Sequence, residues 1–140
     1  MTPAALATIR DAGLRLGLST HGYAEMLIAE RHSPSYIAMG AVYPTTLKLM
    51  ATAPQGTGRL AAYARLLRHV PRVAIGGIDL ERLPAVLASG VGSVGVVRAL
   101  TAATDVDATV ATWNAAMLYS QDLEEAVNAA REKRRPVFRD

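Results

Sequence analysis

A chain of 140 residues with 51% hydrophobic and 19% charged residues has the size and balance of one soluble globular domain, which sets aside a disordered tail and a fibrous repeat. It contains no cysteine, so disulfides, thiolate nucleophiles and zinc–thiolate sites are excluded. The formal charge of +3 arises at the end of the chain, where Arg131, Lys133, Arg134, Arg135 and Arg139 outweigh Glu132 and Asp140, a short basic tail rather than the basic folded face of a nucleic-acid binder.

In chain order, Thr2-Pro3 reads as the N-cap and first residue of a short helix that runs through Ile9 and Arg10 and stops near Gly13. Four short apolar runs follow, Leu14–Ser19, Tyr36–Tyr43, Arg72–Ile78 and Ser93–Leu100, each read as a strand. Each precedes a helical pattern, at about 22–31, 57–69, 80–89 and 105–118, with Asp79 and Asp105 as N-caps of the last two. Runs such as Val73-Ala74-Ile75 and Val94-Gly95-Val96-Val97 do not alternate with polar residues, which predicts parallel strands covered on both faces. Ser120-Gln121-Asp122 opens a last helix, acidic early at Glu124 and Glu125 and basic late at Arg131, Lys133 and Arg134, that Pro136 stops. No apolar run reaches the roughly 18 residues of a membrane span, and no leader pattern opens the chain, so a cytoplasmic location is expected.

Alternating strand and helix predicts α/β architecture. Periodicity alone leaves two forms open, half of a (β/α)₈ barrel and a small doubly wound sheet. The glycines Gly76-Gly77 and Gly90-Val91-Gly92 mark places where backbone turns tightly or approaches something closely. His21 and His69 read as a loop residue and a helix-end residue, at a spacing that fits no metal motif.

Four segments in order carry a resemblance: Gly17-Leu18-Ser19-Thr20-His21, then Tyr36 to Lys48 ending in Pro44-Thr45-Thr46-Leu47-Lys48, then Val73-Ala74-Ile75-Gly76-Gly77-Ile78, then Gly90-Val91-Gly92-Ser93-Val94-Gly95-Val96-Val97-Arg98-Ala99-Leu100. Over about residues 5–118 the chain resembles the thiamine-phosphate synthase family. The resemblance implies a (βα)₄ half of a TIM (β/α)₈ barrel, equivalent to strands five to eight, at 1–118, followed by a helical basic extension at 119–140. It also implies a transferase of thiamine biosynthesis, which couples an aminopyrimidine diphosphate to a thiazole phosphate and releases pyrophosphate. The related thiazole tautomerases place a histidine directly after the glycine of the sixth strand; here Ala41 holds that position, which disfavours their chemistry.

By the same resemblance Ser19 sits at the pyrimidine diphosphate and Lys48 meets its phosphates, these two being the catalytic candidates. Thr45, Thr46 and Leu47 line the thiazole phosphate pocket, which Gly77, Val97 and Arg98 close. The residue types suit the roles. A loop lysine offsets charge growing on departing pyrophosphate, while hydroxyls and glycine amides donate to phosphate oxygens. Barrels bind phosphate at the loops after strands seven and eight, this chain's third and fourth. Leu47 replaces a usual threonine, and Arg98 stands where serine is common and can pair with phosphate as a fork. Without the family, Lys48 reads as a solvated loop lysine, Ser19 as a helix cap, and Leu49 to Gly58 as a lid or a long connection.

In the family the first four strands supply the basic grip on diphosphate and the residues that organise Mg²⁺, and those segments are not in this chain. Magnesium is therefore expected for the family with no ligands here. A half barrel leaves apolar surface and strand edges open, so a second copy or a complementing half barrel is expected. The alternative is a non-catalytic phosphate-ligand module, or a vestigial or truncated partner subunit.

Overall fold

The computed structural model describes residues 3–47 and 50–118, with 129, 132–135 and 137. In chain order it contains α1 (Pro3–Asp11), β1 (Gly17–Thr20), α2 (Tyr23–Glu30), β2 (Tyr36–Met39), α3 (Gly56–Leu66), β3 (Arg72–Ile75), α4 (Leu83–Leu87), β4 (Ser93–Gly95), α5 (Arg98–Thr101) and α6 (Val106–Leu118). The chain divides into two compact units, Met1–Ala99, which holds the sheet, and Leu100–Asp140, which holds α6. The helix expected from Ser120 falls largely outside the described residues. Among the described residues no helix is long and apolar enough to cross a membrane.

Local chemistry sets the boundaries. Gly13, at φ 71°, takes the left-handed conformation that ends α1. Asp105 Oδ1 accepts the backbone N–H of Ala108 at 2.9 Å and caps α6, as expected. Asp79 does the same for Arg82 N at 2.9 Å, but the capped segment is a turn, and α4 begins only at Leu83 with Pro84 in its first turn. The helix expected over 80–89 is thus shortened to five residues.

The strands are also shorter than the apolar runs. Ladder pairing stops at Met39 and Ile75, and the next residues cross between strand ends instead, with Val42 N donating to Ile75 O at 2.9 Å and Tyr43 N to Gly76 O at 3.0 Å. The run Ser93–Leu100 is corrected most. Its strand ends at Gly95, and Arg98 already starts α5. An unbroken apolar run does not say where a strand becomes a helix.

All four strands are parallel, in the order β1-β2-β3-β4. The order never reverses, so the sheet lacks the switch point of a doubly wound fold. The registers Thr20↔Met39 and Met39↔Ala74 place these side chains on one face with Ile37 and Leu18. That face is buried: Ile37 and Ala74 are fully covered, and α2 packs on β1 and β2 while α4 packs on β4. Burying Ile37 contributes on the order of 2 kcal/mol. Met26, Leu60, Leu67, Val86 and Val91 complete this core.

The opposite face carries Gly17, Ser19, Tyr36, Ala38, Val73 and Ser93, and of these Gly17, Ser19, Tyr36 and Ser93 are exposed. The expectation of two covered faces therefore holds fully for one, while the other is covered at Ala38 and open at Gly17, Ser19, Tyr36 and Ser93. That face carries no charged residue, so the alternation such residues would have shown is missing.

Arg72 ties the amino-terminal end of the sheet together. Its Nη1 donates to Leu67 O at 2.6 Å and Val70 O at 3.0 Å, and its Nη2 to Gly90 O at 3.3 Å. Three loop carbonyls are thereby satisfied by one half-buried guanidinium.

Candidate functional site

Of the described candidates, Thr45, Thr46, Leu47, Gly77 and Val97 follow the carboxyl ends of β2, β3 and β4, Arg98 opens α5, and Ser19 lies within β1, at the end of the sheet where α/β folds bind their ligands. The loop after β2 leaves the sheet at Gly40 and returns at Gln55 and Gly56, whose N–H groups donate to Ala41 O at 2.8 Å and Val42 O at 2.9 Å. The base of the excursion is thus closed by two backbone bonds. Pro44, Thr45, Thr46 and Leu47 ride on it, and Lys48 lies outside the described residues. Within the loop, Thr45 Oγ1 accepts the N–H of Leu47 at 3.3 Å, a tight turn that leaves the Leu47 side chain exposed.

Two contacts join this loop to the later strands. The guanidinium of Arg98, after β4, donates through Nη1 to Thr46 Oγ1. Gly77, after β3, lies so close beneath Pro44 and Tyr43 that a Cβ there would overlap the Pro44 carbonyl and stand 2.8 Å from Tyr43 Cβ. Both Gly76 (φ 92°) and Gly77 (φ 66°) use the left-handed region, which a side chain resists. Arg98 thus meets Thr46, and Gly77 packs against Tyr43 and Pro44, so the segments after β3 and β4 each touch the loop after β2. Val97 directly precedes Arg98 and is exposed.

Ser19 stands apart. It is exposed on β1, in register with Ala38, and separated from β4 by β2 and β3. Its neighbour Thr20 points to the other side and donates Oγ1 to Ala38 O at 3.1 Å. The cap reading of Ser19 does not apply, since α2 is preceded by Gly22 with no side-chain cap.

Two residues that the sequence left unassigned organise these loops. Gln55 Nε2 donates to His21 O at 2.8 Å, and its Oε1 accepts from Tyr63 OH at 3.3 Å, so one amide links the loop after β1 to α3. The segment before Gly58 is anchored at Gln55 rather than hanging free. Arg82 Nη1 donates to Gly77 O at 2.8 Å, and its guanidinium lies 4.9 Å over the Tyr43 ring. Gln55 falls in the Leu49–Gly58 connection that the sequence marked as a lid or a long loop. Arg82 had no such signal.

The rings of His21 and His69 each meet a carboxylate, Glu25 at 3.0 Å and Glu30 at 3.1 Å. Glu25 also accepts the backbone N–H of His21 at 2.9 Å, and this bond, with the ring contact, holds its carboxyl below the ordinary value of 4.5. A lowered folded value means that the contact stabilises at neutral pH and is lost as pH falls through that value. We expect the Glu25 side-chain carbon, followed by NMR, to titrate below 4.5 in the native chain and to move only part-way back in His21→Ala, which keeps the amide donor. A midpoint at 4.5 in the native chain would contradict the bond.

Among the described residues no group of three or more His, Asp or Glu is placed to hold a metal. Asp79 and Glu25, on this end of the sheet, are engaged with Arg82 and His21. The described residues thus do not assemble a site for the magnesium expected for the family.

An open parallel sheet with three loops converging on hydroxyl, amide and guanidinium donors defines an α/β protein with its candidate site at the strand ends. A family model described as thiamine monophosphate synthase matches residues 1–100. The thiamine-phosphate synthase of Salmonella agona (strain SL483) is 58% identical over 100 residues, covering 71% of this chain and 47% of that protein. That of Neisseria meningitidis serogroup A is 53% identical over 115 residues, 82% of this chain and 56% of that protein. Among solved structures, the thiamine phosphate pyrophosphorylase from Pyrococcus furiosus is similar with a TM-score of 0.69 at 28% identity, over 83% of this chain and 55% of that one. The chain belongs to the thiamine monophosphate synthase family. It spans about half the length of the curated relatives it matches.

Proposed function

We propose that this chain is the (βα)₄ half of a thiamine-phosphate synthase barrel, equivalent to its strands five to eight, acting in cytoplasmic thiamine biosynthesis. In this reading it holds a thiazole phosphate, and part of an aminopyrimidine diphosphate, while the two are coupled and pyrophosphate leaves. The observation that carries it is the bond from Arg98 to Thr46 with Gly77 packed beneath Pro44, which gathers phosphate donors from three strand ends. The unreversed strand order and the single buried face support the barrel half.

The roles follow from chemistry. Thr45 and Thr46 hydroxyls, the amides about Gly77 and the Arg98 fork donate to the phosphate monoester, and Leu47 and Val97 flank it. Ser19 donates at the diphosphate, and Lys48 offsets the charge that develops on the departing pyrophosphate, a stabilisation greatest in the transition state. Magnesium and the remaining diphosphate contacts belong to the family's other four strands. A complementing half barrel, or a second copy, would cover the face that carries Ser19, Tyr36 and Ser93.

Calorimetry with the thiazole phosphate tests the reading. Saturable binding is expected, and its absence would sink the claim. A second reading, a non-catalytic phosphate-ligand module, needs only the donors carried by Thr46, Gly77 and Arg98. It predicts the same binding but no pyrophosphate release when both substrates and magnesium are supplied. Robust release by the purified chain rules it out.

A further inference from the structure

Gly76 and Gly77 have no side chains with which to hold their own peptide planes, yet a loop that binds phosphate through amides needs those planes fixed. One plane is fixed by backbone: Gly76 O accepts Tyr43 N at 3.0 Å. The next is fixed by a side chain, since Gly77 O accepts Arg82 Nη1 at 2.8 Å. In a trans peptide the N–H points opposite to the C=O. The first bond therefore turns the Gly77 N–H away from the Tyr43 N–H, and the second turns the Ile78 N–H away from Arg82.

Arg82 is itself held on two sides. Asp79 Oδ2 lies 3.2 Å from its Nη1, and the Tyr43 ring packs against the guanidinium at 4.9 Å. Its backbone N–H is also tied to Asp79 Oδ1 at 2.9 Å, so the residue is set at both ends. One planar cation thus joins the loop after β3 to the loop after β2, five residues from the glycine it orients in one direction and across to Tyr43 in the other.

We propose that Arg82 is a positioning residue, which fixes the peptide between Gly77 and Ile78 so that the Ile78 N–H joins that of Gly77 as a donor to a phosphate monoester. This rests on the phosphate reading above. Arg82 does not touch the ligand; it acts through the carbonyl it holds.

The test uses the full ¹⁵N-labelled chain titrated with inorganic phosphate, following the Gly77 and Ile78 amides. In the native chain both resonances are expected to move to saturation. In Arg82→Leu the dissociation constant is expected to rise about tenfold, the scale of losing a charge-assisted hydrogen bond. The Ile78 response is expected to collapse while that of Gly77, whose plane Tyr43 holds, persists. A merely structural role would weaken both amides alike, and equal responses with unchanged affinity would overturn the proposal. Tyr43→Leu removes the ring beneath the guanidinium but leaves the bond to Gly77, and about a threefold weaker binding is expected, so this variant carries the test if Arg82→Leu does not fold. No saturable shift in the native chain would overturn the phosphate reading itself, an outcome seen before any substitution is made.

Discussion

Arg98→Met is expected to weaken binding of the thiazole phosphate by at least about tenfold, because a hydrogen bond from a charged group contributes roughly 1.5–3 kcal/mol. Arg98 lies at the start of α5 with its Nη1 on Thr46 Oγ1, at the rim where the loops after β2 and β4 meet. On the proposed reading a phosphate entering there accepts from both groups, so the existing contact becomes a shared one. Thr46→Val removes the hydroxyl while keeping the shape and is expected to cost about threefold, the scale of a neutral hydrogen bond. The double variant should lose less than the product of the two effects, since each residue positions the other. As a control, Arg65→Met removes an equal charge from the exposed last turn of α3 and should leave affinity unchanged. If both arginine variants weaken binding alike, the effect is general attraction by positive charge and the Arg98 contact has no special role.

Much of the fold was legible because apolar runs and cap residues report local preferences. Asp105 announced α6, and the four runs announced four strands in order. The strand ends were less legible. Val94 to Leu100 is apolar almost throughout, so nothing local separates the strand that stops at Gly95 from the helix that starts at Arg98. That boundary is set by β3, which offers partners only through Ile75. The uncovered sheet face was hidden for a related reason. Ser19, Ala38 and Ser93 are small enough to suit either a buried or an open surface, so composition did not distinguish them.

The same distinction holds at the site. Thr45, Thr46 and Gly77 were readable as a motif, since each lies in a short contiguous segment. Arg82 and Gln55 act across distance, on Tyr43 and Gly77 in one case and on His21 and Tyr63 in the other. A single arginine in an amphipathic stretch carries no mark of the carbonyl it will meet. Its role exists only once the loops after β2 and β3 are packed together.

That packing makes Gly77→Ala the most severe substitution expected at this site. Two costs fall on it. A left-handed φ of 66° penalises any side chain, by roughly 1–2 kcal/mol. The new methyl would also overlap the Pro44 carbonyl and stand 2.8 Å from Tyr43 Cβ, so the loop carrying Thr45 and Thr46 has to move off β3. The two costs can be separated with Gly13→Ala. Gly13 has a similar φ of 71° but nothing within 4 Å of its Cβ position, so it reports the backbone cost alone. Gly13→Ala is expected to lower the melting temperature and leave phosphate affinity intact. Gly77→Ala is expected to lower the melting temperature further and to reduce affinity about a hundredfold, because the amide, hydroxyl and guanidinium donors no longer share one site. Calorimetry on both variants at a temperature where each is folded reads the difference directly. Native affinity in folded Gly77→Ala would mean that the phosphate does not lie between these loops, and the site would then have to be sought nearer Ser19 on the open face of the sheet.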